Sequence, residues 1–123
     1  DMALASTLSG LSISLTKTAI AHSISYPLTS HFNVPHGLAC SFSLPYLIEM
    51  NKDILIKNEE DQRIIDSIKE IFDKVDLKGF LVKYLSVNEL LQLKGEMFHP
   101  QRIRNYSGKV VSDLDELLIS SIE

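Results

Sequence analysis

The chain has 123 residues, 45% hydrophobic and 23% charged, with a formal net charge of −4. That length suits one compact domain with a buried core and excludes two ordinary domains. The acidic balance excludes a broad basic face, so nucleic acid is not an expected partner.

Cys40 is the sole cysteine, which rules out an intrachain disulfide and fits a cytoplasmic location. The start shows no basic segment followed by a long apolar run, so no signal peptide is read there. Thr18 to Ile48 contains no Asp, Glu, Lys or Arg, yet its three histidines and three prolines make it a poor lipid-spanning helix. No membrane partner is expected. The chain begins with Asp1 and not with an initiator methionine, which fits a processed product or part of a longer protein.

Met2 to Leu15 has apolar residues at helical spacing, with small Ala, Ser and Gly10 that permit close helix approach. Ala19 to Phe32 predicts a second helix carrying Pro27, which removes a backbone donor and crowds the preceding turn. Asn33-Val34-Pro35 predicts a turn. His36 to Asn51 predicts a third helix with an internal Pro45.

Asn58 to Val75 is the clearest amphipathic segment. Ile64, Ile65, Ile68, Ile71, Phe72 and Val75 share one face, and Asp61, Arg63, Asp66, Lys69, Glu70 and Asp73 populate the other. Asn58 is the expected cap, with Glu59 and Glu60 in an acidic first turn. Shorter helices are expected at Leu77–Leu85 and Val87–Leu93, a loop over Gly95–Ser107, and a closing helix over Ser112–Ile122 that opens on Ser-Asp. Almost nothing alternates with period two, so the expected fold is all-α, a helical bundle. Residues 1–123 read as a single domain whose weakest join is Asn51–Asn58.

Charge is uneven. Residues 1–50 hold only Asp1, Lys17 and Glu49 of the charged side chains. An exposed surface normally carries charge, so this half reads as covered on most sides, inside a larger protein or an oligomer.

His22 and His36 are fourteen positions apart, which on one straight helix spans roughly 21 Å. Sharing a metal requires both ring nitrogens about 2.0–2.1 Å from it. The chain must therefore reverse at the Asn-Val-Pro turn if the two are to meet. Spacing alone favours a simpler reading, with His22 a hydrogen-bonded core histidine and His36 a helix-start residue. Two ligands also do not close a catalytic site, which takes three or four plus an open position.

The wording around the pair adds more. Ala21-His22, Tyr26-Pro27-Leu28, Pro35-His36-Gly37, Pro45 and Asn51 occur in this order, and the run closely resembles the histidine signature of the iron-containing (group III) alcohol dehydrogenases. The resemblance covers nearly this whole chain but about the last third of a typical member. It implies a dehydroquinate-synthase-like helical C-terminal domain in which His22 and His36 are two of four metal ligands. It also implies Fe(II) or Zn(II) as the metal, NAD(P) as hydride carrier, and a small aldehyde or alcohol as substrate. The metal would act as a Lewis acid on the substrate oxygen. The Ser-Ile-Ser-Tyr-Pro-Leu and Ala-Cys-Ser-Phe segments are similar to the branch that reduces phosphonoacetaldehyde, although Thr18 to Ile48 supplies no cation for a phosphonate.

Two departures from the family pattern matter. Several members place a histidine associated with proton transfer four residues after the first ligand; here Tyr26 stands there, a poor base at neutral pH. The family's other two ligands, an Asp and a His four apart, and its Gly-rich nucleotide-binding domain lie upstream of the matched region and are absent from this sequence. The chain alone is therefore expected to be inactive. It would be a homo-oligomer or would pack against that N-terminal domain.

The remaining candidates are weaker. His31 reads as a partly exposed helix-end residue. Cys40, one turn after His36, can face the site but reads by default as a small buried apolar residue. His99 lies in the loop-like segment, and Arg102 with Arg104 reads as a solvated pair before an anion site. Two other functions fit the sequence: a non-catalytic helical interaction module, and a structural metal site with His22 and His36 donated by different protomers.

Overall fold

The computed structural model describes residues 1–16, 18–111 and 113–122, with the side chains of Thr16 and Arg102 outside the description. Helices occur throughout, and there is no strand among the described residues, as the absence of period-two patterning requires. The helices are α1 (Met2–Thr16), α2 (Ile20–Phe32), α3 (His36–Ser41), α4 (Leu44–Leu55), α5 (Glu59–Lys74), α6 (Leu77–Leu81), α7 (Val87–Gln92), α8 (Lys94–Met97), α9 (Pro100–Ile103) and α10 (Leu114–Ser120).

The core forms around α2. Ile20, Ile24 and Leu28 recur every fourth residue, so one stripe of the helix is buried. Against it lie Ala39 and Phe42 after α2, Leu81, Leu85, Leu90 and Met97 from the middle of the chain, and Leu117 and Leu118 of α10. Each such Leu, Ile, Phe or Met side chain contributes about 1.5–3 kcal/mol by leaving water. Buried Ser23 fastens the stripe to later helices: its hydroxyl donates to the Met97 carbonyl and accepts from the His99 N–H at 3.2 Å.

The expected turn at 33–35 forms. Asn33 adopts φ 52°, the left-handed region, and caps α2 by donating its N–H to Leu28 O. Val34 N–H reaches the same carbonyl at 3.3 Å. Asparagine tolerates this conformation better than other non-glycine residues.

The single helix expected over His36–Asn51 is two helices. Pro45 has no N–H, and its ring would clash with the carbonyl four residues back if the helix were continuous. The chain therefore breaks at Phe42–Ser43, Pro45 falls in the first turn of α4, and α4 continues past Asn51 to Leu55.

Asn58 caps α5 as expected, accepting from Asp61 N–H at 2.9 Å. The apolar face of α5 is only partly covered: Ile65 is buried, while Ile64 and Ile71 are 53% and 59% exposed. Ser86 and Glu89 form a reciprocal capping box at α7, and Asp113 caps α10. Ser112, the expected opening of that helix, lies outside the described residues. The segment read as a loop over 95–107 contains the short helices α8 and α9. Pro100 opens α9, where its missing N–H costs nothing.

Residues 20–47 supply much of the core within this chain, whereas α1 does not. Met2, Leu4, Leu8, Leu11, Ile13 and Leu15 are all exposed, between 45% and 86%.

Candidate metal centre

His22 lies in the first turn of α2, half-buried, and His36 opens α3 on the surface. The reversal at Asn33–Pro35 brings α3 back against α2, and the two imidazole rings stand edge to face with centroids 5.5 Å apart. The fourteen-residue gap is thereby closed within one chain.

Tyr26, one turn after His22, has its ring 6.2 Å from the His36 ring. The side chain that replaces the expected second histidine therefore faces the same site. A phenol hydroxyl can donate a hydrogen bond to an oxygen held there.

Cys40 does not behave as a plain core residue. Its Sγ lies 3.5 Å from His36 Nε2 and 3.9 Å from Nδ1. The four-residue spacing places both side chains on one face of α3. Partial burial pushes the Cys40 thiol up from its ordinary pKa, and the Ser25 hydroxyl beside it opposes that shift. The nearest ligating atoms of His22, His36 and Cys40 all lie within 4.8 Å of one another. This is the cluster among the described residues with the composition and closeness to hold a metal ion. Two imidazoles and a thiol are donors suited to a borderline divalent metal. An i, i+4 His and Cys pair on one helix was the available sequence signal for Cys40.

The other candidates lie elsewhere. His31 pairs with Glu96 at 2.9 Å on the surface, linking the end of α2 to α8. His99 is exposed and engaged through its backbone N–H with Ser23. Arg104 is exposed, and the side chain of Arg102 lies outside the described residues. Asn51 is 5% exposed and structural. Its amide donates to Leu47 O and to the Tyr106 hydroxyl, each at 2.7 Å, and its oxygen accepts from Lys109 N–H at 2.7 Å. These bonds fix the 105–109 segment over an open groove of about 350 Å³ beside the site, bounded by Ala21, His22, Leu47, Asn51, Tyr106 and Gly108.

No helix is long and apolar enough to cross a membrane among the described residues.

Among curated proteins, the chain is 34% identical over 65 residues to a phosphonoacetaldehyde reductase of Streptomyces viridochromogenes, covering 53% of this chain and 16% of that protein. It is 27% identical over 100 residues to an NADPH-dependent butanol dehydrogenase of Clostridium saccharobutylicum, covering 68% of this chain and 26% of that protein. The matched regions thus span about a sixth to a quarter of these relatives. No solved structure matches. The model for the C-terminal domain of the Fe-containing alcohol dehydrogenase family matches residues 1–109, nearly the whole chain, and the chain belongs to that family.

Proposed function

We propose that this chain supplies part of the metal site of an enzyme that interconverts an alcohol and an aldehyde with a nicotinamide cofactor, His22 and His36 being two of the ligands. The observation that carries the reading is the convergence of the two rings, 5.5 Å apart, from either side of a turn. They meet within one chain, so a shared ion needs no second protomer. A divalent ion, iron or zinc, supplies Lewis acidity for the substrate oxygen. The chain's own residues orient: Ala21 and Leu47 offer apolar lining, and Asn51 holds the Tyr106 hydroxyl and the Lys109 N–H at the same groove. Among the described residues, no Lys or Arg lines that groove.

The chain contains no Gly-rich loop to cradle a dinucleotide. NAD(P) binding, and with it the hydride transfer, is therefore assigned to the rest of an intact enzyme working in the cytoplasm. The 123-residue chain alone should not oxidise NADH or NADPH in the presence of aldehydes, and turnover by it would overturn this assignment. Metal content after purification, compared with His22→Ala and His36→Ala, tests the ligand role. Loss in both variants supports it, and unchanged content in both removes these residues as ligands.

A second reading, a non-catalytic interaction module, is favoured by the exposure of α1. An apolar helix with no polar face is normally covered, here by the remainder of the enzyme or by another copy. Sedimentation of the metal-free chain separates the readings. A stable oligomer that never takes up metal favours the module.

A further inference from the structure

We propose that Cys40 is a third metal ligand in this chain, so that His22, His36 and Cys40 form a two-nitrogen, one-sulfur face selective for a thiophilic divalent cation of the zinc class. The proposal rests on the reading of His22 and His36 as ligands and adds to it the sulfur, with the metal preference that follows.

Three observations converge on it. The nearest ligating atoms of the three side chains lie within 4.8 Å of one another. A tetrahedral ion with bonds of about 2.0–2.1 Å to nitrogen and 2.3 Å to sulfur sets its nitrogen and sulfur ligands about 3.5 Å apart. The Cys40 Sγ lies 3.5 Å from His36 Nε2 and 3.9 Å from Nδ1, alongside the ring, so a turn of the His36 ring is needed to aim a nitrogen at an ion shared with the sulfur. His36 and Cys40 lie on one face of α3, and His22 approaches from α2. The face is accessible as well, Cys40 being half-buried and His36 exposed, so ligands from the rest of an intact enzyme can reach an ion there.

The sulfur changes what the site prefers. Imidazole and carboxylate donors suit iron and zinc alike, whereas a thiolate selects zinc-class ions and disfavours magnesium and calcium. Binding replaces the S–H bond with a sulfur–metal bond, and the thiol proton passes to solvent.

Cobalt(II) is the probe, because thiolate ligation gives it an intense near-ultraviolet charge-transfer band while imidazole ligation gives only weak visible bands. The full 123-residue chain is titrated with cobalt(II) beside Cys40→Ala, His22→Ala and His36→Ala, with circular dichroism to verify that each variant keeps its helices. The expected result is a charge-transfer band in the parent chain that Cys40→Ala lacks, with affinity weakened about 100-fold. That is at least the effect of losing a supporting second-shell group. Weak visible bands should persist in Cys40→Ala and vanish in the two histidine variants. Cobalt binding by the parent without the band, matched by Cys40→Ala, overturns the role of Cys40 and leaves the histidine reading standing. Binding that survives in both histidine variants overturns the histidine reading itself. A parent chain that binds no cobalt overturns the three-ligand site. Zinc that fails to displace cobalt in the presence of excess magnesium overturns the stated preference.

Discussion

Replacing Asn51 by alanine tests whether one buried amide holds the 105–109 segment against α4. The side chain makes three hydrogen bonds of 2.7 Å, to Leu47 O, the Tyr106 hydroxyl and the Lys109 N–H. The Leu47 carbonyl lies inside α4 and keeps its place in the helical ladder, so its loss counts little. The two tertiary bonds are worth about 1 kcal/mol each, and leaving a partly buried hydroxyl without a partner adds up to about 1 kcal/mol. Asn51→Ala should therefore destabilise by about 2–3 kcal/mol, or lower the melting temperature by about 10 °C for a domain of this size. Urea unfolding followed by circular dichroism measures this, with the midpoint shifting and the slope unchanged. Tyr106→Phe removes one bond and should lose about 1 kcal/mol, and adding it to Asn51→Ala should cost almost nothing more. Native-state hydrogen exchange should show the Lys109 amide exposed in Asn51→Ala, with the amide of Leu90 unchanged in its order of protection. A variant within about 0.5 kcal/mol of the parent, the range of an ordinary surface change, would refute the reasoning.

Three further outcomes follow from the geometry. Gly108→Ala places a Cβ against the Tyr106 hydroxyl and Asn51 Oδ1; it should destabilise by about 1–3 kcal/mol in the same unfolding assay, and an unchanged midpoint would contradict the packing. Ser23→Ala orphans the Met97 carbonyl and the His99 N–H; a loss of about 1–3 kcal/mol is expected by thermal melting, and Ser23→Thr should not restore it, because its extra methyl has no room at a 1% exposed position. Lys52 and Lys69 flank Glu49 and hold its carboxyl low, at about 2. A depressed carboxylate adds stability above the ordinary carboxyl range and loses it as the pH falls toward about 2. The parent should thus lose its advantage over Glu49→Gln across that acid window. High salt should shrink the advantage at neutral pH, because all three groups are exposed; an advantage that grows on acidification would reverse the sign.

The fold class was legible because its signals were local. Asn58 with its acidic first turn marked α5, Asn33-Val34-Pro35 marked the reversal, and the period of the apolar residues excluded strands. What the sequence left obscure depended on tertiary context. Pro45 tolerates either a kink or a helix start, and the break at Phe42–Ser43 decided for the start. Residues 94–103 form two helices of four residues each, too short to show a period, and they are held by Ser23 from 70-odd positions away. The apolar face of α5 was read correctly as a face, but Ile64 and Ile71 stay half-exposed among the described residues. The large apolar residues of α1 stay exposed as well.

The site was legible in part. The motif wording pointed to His22, His36 and Tyr26, and the structure adds that their rings meet. Asn51 was noticed as a motif residue, while its bonds to Tyr106 and Lys109 depend on a loop 55 or more positions away. The four-residue spacing let Cys40 face His36, but a small buried apolar residue was the default reading; the Sγ–His36 ring distances decide for the site.

The central claim is that His22 and His36, among the four histidines, bind a metal together. The most direct measurement is a long-range nitrogen–proton correlation spectrum of the imidazole rings in the nitrogen-labelled chain during zinc titration. The account predicts that one ring nitrogen of His22 and one of His36 move together to metal-bound positions at one equivalent, while His31 and His99 stay where they were. Movement of His31 or His99 in their place, or no movement of the His22 and His36 rings at saturating zinc, would contradict it.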